Sequence, residues 1–161
     1  AELVSQQNVS VDFETVVDTF QRLYLGDANN PGLVQAEVNL LRQPLKQQVF
    51  GGELASAVVT GRPRQEALQG VSQLNINPDY VVSADDVNKQ KPDPEGLQSV
   101  MQQSNSSRTW FCGDTVDDMQ AGNAAGCVCI GIATSEAASE NLTQAGADVV
   151  LENINQLESL L

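Results

Sequence analysis

Apolar residues recur every three or four positions early in the chain, and past residue 54 they gather into short runs separated by mixed stretches. Phe13, Val16, Val17, Phe20, Leu23 and Tyr24 share one side at 3.6 residues per turn, which predicts an amphipathic helix. Ser10 is placed to cap it from about Val11, with Asp12 and Glu14 in the positive first turn. Gly26 ends it, and 27–32 reads as a loop. A second short helix is expected over 40–49. The later pattern predicts strands at 54–59, 80–83, 109–112, 128–132 and 148–151. Between them it predicts helices at 63–74, 93–103, 115–125 and near 139–144, with a last one from Asn153. Such alternation indicates an α/β fold, a doubly wound parallel sheet with helices on both faces. Residues 1–50 then form a helical module, either a cap or plain scaffold, and 51–161 form the α/β core. Ligands of such folds sit at the carboxyl ends of the strands. The candidate positions are therefore those just past Val59, Ser83, Cys112 and Ile132.

Composition narrows the chemistry. A chain of 161 residues, 41% apolar and 18% charged, suits a globular protein with one core. No apolar run approaches the roughly 18 to 20 residues of a membrane span, and no secretory signal pattern is visible. The first residue is Ala rather than Met, which fits a processed or truncated protein. The net charge of −13 opposes nucleic acid and anionic membranes. A small phosphorylated molecule can still bind where the few cations converge. Otherwise the charge is a solvated, self-repelling surface. Cys112, Cys127 and Cys129 read as buried thiols of a reducing, cytoplasmic protein. Histidine is absent, which excludes Ser–His and Cys–His mechanisms and histidine-ligated zinc. Acid–base chemistry must use carboxylates, lysine or water. Oligomeric state leaves no trace.

Three strand ends carry candidate chemistry. Thr60-Gly61-Arg62-Pro63 offers a hydroxyl and backbone N–H groups at a helix start, a cradle for phosphate, and Gly61 allows close approach. The same turn also serves as an ordinary cap. Lys91-Pro92-Asp93-Pro94 holds a lysine in front of two prolines, where it neutralises phosphate or holds a carboxylate, or is simply solvated. The strongest signal is Gly113-Asp114-Thr115-Val116-Asp117-Asp118 behind an apolar strand. Asp114 and Asp118, four residues apart, can face one spot and offer the hard oxygen ligands that Mg²⁺ prefers. Asp117 points about 100° away around the helix. Acidic residues also favour a helix N-terminus without any ligand.

Taken in order, these sites resemble the second, third and fourth motifs of the haloacid dehalogenase (HAD) superfamily. The likeness runs over about residues 54–151, and the first fifty residues are similar to the helical cap of the subfamily (IA) that contains phosphoglycolate phosphatase, phosphonatase and β-phosphoglucomutase. The resemblance implies a Rossmannoid core with a partial helical cap and a Mg²⁺-dependent phosphohydrolase acting on a small phosphomonoester. Thr60 would bind the transferring phosphoryl group, with Gly61 and more weakly Arg62 beside it. Lys91 would balance charge, Asp114 would ligate Mg²⁺, and Asp118 would support the ion directly or through water. The superfamily's first motif, a strand ending in Asp-x-Asp, is not found. It is expected to lie outside these 161 residues or on another chain, and the chain alone is expected to be inactive. The alternative is a non-catalytic module that binds a phosphorylated ligand or regulates a partner. A phospho-receiver domain fits Lys91-Pro92-Asp93-Pro94 poorly, and no GxGxxG supports a dinucleotide fold.

Overall fold

The computed structural model describes residues 12–39 and 54–160. Ser10 and the helix predicted over 40–49 lie outside them. Two compact units form, Ala1–Pro44 and Leu45–Leu161.

In the first unit, α1 (Phe13–Leu25) is capped by Asp12, whose carboxylate accepts the Thr15 N–H at 2.8 Å. The predicted loop closes sooner than expected, and Gly32–Asn39 forms α2. Gly26 and Gly32 make this hairpin feasible at φ +84° and +71°, where a Cβ on either would meet backbone within about 2.4 Å. Tyr24 and Val34 are buried. The Tyr24 hydroxyl donates to Glu37 at 2.6 Å and its ring stacks on Phe20. The rest of the predicted apolar face is exposed, Phe13 at 81%.

The second unit alternates strand and helix: β1 (Ala57–Val59), α3 (Arg64–Gln73), β2 (Tyr80–Val82), α4 (Glu95–Ser104), β3 (Trp110–Gly113), α5 (Val116–Ala125), β4 (Val128–Ile132), α6 (Glu136–Gln144) and β5 (Val149–Leu151). All pairings are parallel. As expected of a parallel sheet whose first, central strand is not in the chain, among the described residues β1 pairs with β2, and β3–β4–β5 pair separately. The first strand is shorter than predicted, since Asp79 and Tyr80 donate to the Ser56 carbonyl and end the ladder there. Helix α4 starts at Glu95 rather than Asp93, with Pro94 as its cap residue. The last segment, Ile154–Ser159, is a 3-10 helix and not an α-helix.

One apolar cluster joins the two sheets. Leu97 of α4, Phe111 of β3 and Ala121 of α5 pack together with Cys127, and Val59 of β1 packs against them. A second cluster puts Met119 and Leu142 on Cys129 and Ala133. Cys127 and Cys129 are buried as expected, whereas Cys112 is half-buried because β3 has a partner on one side only among the described residues. This packing brings the carboxyl ends of β1, β2 and β3 into one neighbourhood.

Candidate active site

The turn after β1 is built first. Thr60 donates its N–H to the Val82 carbonyl at 2.9 Å, extending the β1–β2 ladder by one residue. The Thr60 hydroxyl oxygen accepts the Arg62 N–H at 3.2 Å. Its own proton has no acceptor among the described residues. Ala84 N–H donates to the Arg62 carbonyl at 3.0 Å. Arg64 donates its N–H to Asp85 at 2.8 Å and its guanidinium to Asp86 at 2.7 Å. Asp86 also accepts the Ser83 hydroxyl and N–H, at 2.6 and 2.8 Å, in a capping box on the single 3-10 turn Ala84–Asp86. The Ser83 hydroxyl and N–H, and then the Arg64 charge, hold the Asp86 carboxyl below the usual range. The turns after β1 and β2 are thereby strapped together.

The loop 87–93 is pinned at its two ends. Glu95 accepts the N–H groups of Asn88 and Lys89 at 2.8 and 2.9 Å, and Asp93 N–H donates to the Gln90 carbonyl at 3.0 Å. From this loop Lys91 reaches Asp118 of α5, Nζ to Oδ1, at 2.5 Å. The ammonium also lies 5.9 Å from the centroid of the Phe111 ring.

Asp118 is the hub. Thr115 caps α5, its hydroxyl oxygen accepting the Asp118 N–H at 3.1 Å. In return Asp118 Oδ2 accepts the Thr115 hydroxyl at 2.7 Å and the N–H groups of Thr115 and Asp114 at 3.1 and 3.2 Å. Gly113 makes the approach feasible, since a Cβ there would fall 2.3 Å from Asp118 Cβ. Asp118 is only 4% exposed. Burial by itself would raise its carboxyl. The Lys91 and Thr115 hydrogen bonds and the Lys91 charge outweigh that and hold it below the usual range.

Thr60, Gly61 and Lys91 line one cleft, together with Ser83, Gln90 and Asp93. Asp118 joins it through Lys91, and Asp114 adjoins Asp118 through its N–H. The Asp114 carboxylate is exposed just past β3. Arg62 is not among the residues that line the cleft, and its guanidinium meets Glu66 at 3.3 Å. Asp117 is exposed.

Among the described residues no three acidic, cysteine or histidine side chains gather as a metal cluster. Mg²⁺ needs less, because it commonly takes one or two protein carboxylates and fills its octahedron with phosphate oxygens and water. Asp114 suits that role. Asp118 suits it less, because its two oxygens already accept four hydrogen bonds. Sequence reasoning missed this tethering role, although Thr115-x-x-Asp118 and Ser83-x-x-Asp86 both have capping-box spacing. It also missed Glu95 as the anchor of the loop, for which no local signal exists.

The family model of haloacid dehalogenase-like hydrolases matches residues 41–132. A protein of Phytophthora nicotianae named imidazoleglycerol-phosphate dehydratase is 32% identical over 152 residues, 88% of this chain and 33% of that one. The phosphoglycolate phosphatase of Pseudomonas fluorescens is 26% identical over 108 residues, 65% of this chain and 40% of that one. The chain thus spans about a third to two fifths of the length of these two curated relatives. Among solved structures, a Thermotoga maritima protein described as a β-phosphoglucomutase superposes with a TM-score of 0.68 at 23% identity, over 99% of this chain and 76% of that one. That likeness carries the fold, a Rossmannoid α/β one. With the motif order, the strand-end geometry and a family match over more than half of its length, this chain belongs to the haloacid dehalogenase-like hydrolases.

Proposed function

We propose that the chain supplies the phosphate-binding and magnesium-binding side of a phosphohydrolase site, and that the whole protein hydrolyses a small phosphomonoester. The observation that carries this reading is the Lys91–Asp118 pair. It joins the loop after β2 to the helix after β3, beside a cleft that Thr60 and Gly61 also line. In this reading the Thr60 hydroxyl donates to a phosphoryl oxygen, and the Gly61 N–H faces a second. Lys91 neutralises the phosphoryl charge, and Asp118 positions Lys91. Asp114 would hold Mg²⁺, which when bound draws charge from the phosphoryl oxygens. An aspartate from outside these 161 residues attacks phosphorus, and water then breaks the aspartyl-phosphate. The free edges of β1 and β3 among the described residues, with Val59 and Phe111 in one cluster, suit a further parallel strand bearing that aspartate. Residues 1–50 would be part of a cap that selects the substrate, and the protein would work in the cytoplasm.

The test has two arms. The 161-residue chain with Mg²⁺ should not hydrolyse p-nitrophenyl phosphate, and turnover by it would remove the external nucleophile. In the whole protein, Asp114→Ala should abolish magnesium-dependent turnover, and unchanged activity would remove the metal assignment. A non-catalytic phosphate-binding module is the second reading, favoured by the lack of Asp-x-Asp at any strand end of this sequence. Phosphate binding without turnover in the whole protein would select it.

A further inference from the structure

Gln90 lines the same cleft as Thr60, Gly61 and Lys91, and the phosphohydrolase reading leaves it without a task. Ser83, Lys89 and Lys91 are engaged with Asp86, Asp93 and Asp118, and the free Thr60 hydroxyl proton already has its task in that reading. The Gln90 carboxamide makes no hydrogen bond among the described residues, and the residue is exposed at the cleft. Its place is nevertheless defined. The backbone on either side is held by Glu95 and by the bond between Asp93 N–H and the Gln90 carbonyl. The side chain crosses to the opposite wall, where Oε1 lies 3.5 Å from the point that a Cβ on Gly61 would occupy. A carboxamide has two N–H donors and an acceptor, and without a partner its two ends exchange freely. Either orientation therefore sets a polar group against the Thr60-Gly61 turn.

We propose that Gln90 is a substrate-binding residue that donates an N–H to an oxygen of the phosphoryl group held between the Thr60-Gly61 turn and Lys91. This rests on the phosphohydrolase reading. The chemistry suits the charge balance. The cations around the cleft already face carboxylates, so an incoming anion gains less from them than their number suggests. A neutral donor adds attraction without a counter-charge of its own. The group recognised is the phosphoryl oxygen shared by all phosphomonoesters, so Gln90 strengthens binding without choosing among their organic parts.

The experiment measures the affinity of the whole protein for inorganic phosphate by phosphorus-31 line broadening, with thermal unfolding of each variant alongside. Gln90→Ala should weaken phosphate about tenfold, the low end of the scale for one hydrogen bond to a charged group, and leave the unfolding midpoint unchanged. Gln90→Glu should weaken it further, and Gln90→Lys should restore it. Lys91→Ala should remove most of the binding and serves as the control on the underlying reading. If Lys91→Ala loses phosphate while Gln90→Ala binds like the parent, the Gln90 proposal is overturned and the phosphohydrolase reading stands. If the parent binds no phosphate, or Lys91→Ala binds as well as the parent, both are overturned.

Discussion

Removing the Asp118 carboxylate should cost the fold more than any other exchange of one acidic side chain at the site. Four donors share it: Lys91 Nζ, the Thr115 hydroxyl, and the N–H groups of Thr115 and Asp114. Asp118→Ala strands all four at once. Breaking a buried ion pair from one side costs about 3–5 kcal/mol, and loss of a helix cap about 1 kcal/mol. The Lys91 side chain keeps 24% of its exposure and regains water, so the lower end applies. A loss of about 3 kcal/mol is expected, read as a fall of about 1.5 M in the urea midpoint at a slope of about 2 kcal/mol/M. Asp118→Asn retains an oxygen for the helix-start donors but sets no charge against Lys91, and should lose about 1–2 kcal/mol. The pH dependence separates these contributions. The folded carboxyl lies below its ordinary value of 3.8, so its ionised form stabilises the fold at every pH above that value. The advantage disappears as pH falls through the lower folded value. The gap between the parent and Asp118→Asn should therefore be constant from about pH 7 to 5 and shrink below about pH 4. A loss under about 0.5 kcal/mol for Asp118→Ala, or a gap that persists in acid, would refute the hub.

Two further outcomes test packing. A Cβ on Gly122 would sit 2.6 Å from the Cys129 sulfur, so Gly122→Ala should destabilise by about 1–3 kcal/mol in calorimetry. A stability equal to the parent's would show that α5 and β4 are not in close contact. Burial pushes the Cys112 and Cys129 thiols up to about 11, so at pH 8 iodoacetamide should label them slowly in the folded chain and rapidly in urea. Rapid labelling of folded Cys129 would contradict its burial.

The legible parts of this fold are those where one local cause decides. Val128–Ile132 matches its predicted bounds because Gly126 stops the helix before it and the apolar run ends at Ala133. Thr115 caps α5, and the helix ends where Gly126 takes a left-handed turn. Helix α2 escapes a reading by pattern, since eight residues give about two turns and too few repeats for a period to emerge. The order in which the strands pair is hidden for another reason. Periodicity tells whether a segment is a strand, not which strand lies beside it. The site shows the same limit. Spacing indicates that Asp114 and Asp118 share a neighbourhood, but not that Lys91, 27 residues upstream of Asp118, takes one of its oxygens.

The charges around the cleft explain why that last contact matters. Of eight basic residues in a chain of net charge −13, Arg62, Arg64, Lys89 and Lys91 all come after β1 or β2. Each faces a carboxylate: Glu66 at 3.3 Å, Asp86 at 2.7 Å, Asp93 at 3.6 Å and Asp118 at 2.5 Å. The gathering therefore does not create a strongly positive patch. It creates a nearly neutral one on an acidic surface, which is the least that a phosphate needs in order to approach. Attraction must then come from donors that carry no compensating charge: the Thr60 hydroxyl, the Gly61 N–H and the Gln90 carboxamide. Lys91 is the least exposed of the four and borders the cleft, so a bound phosphoryl group competes with Asp118 for its ammonium. The position of Lys91 is thus set by one anion while its charge remains within reach of another, which ties the stability of the α5 start to occupancy of the cleft.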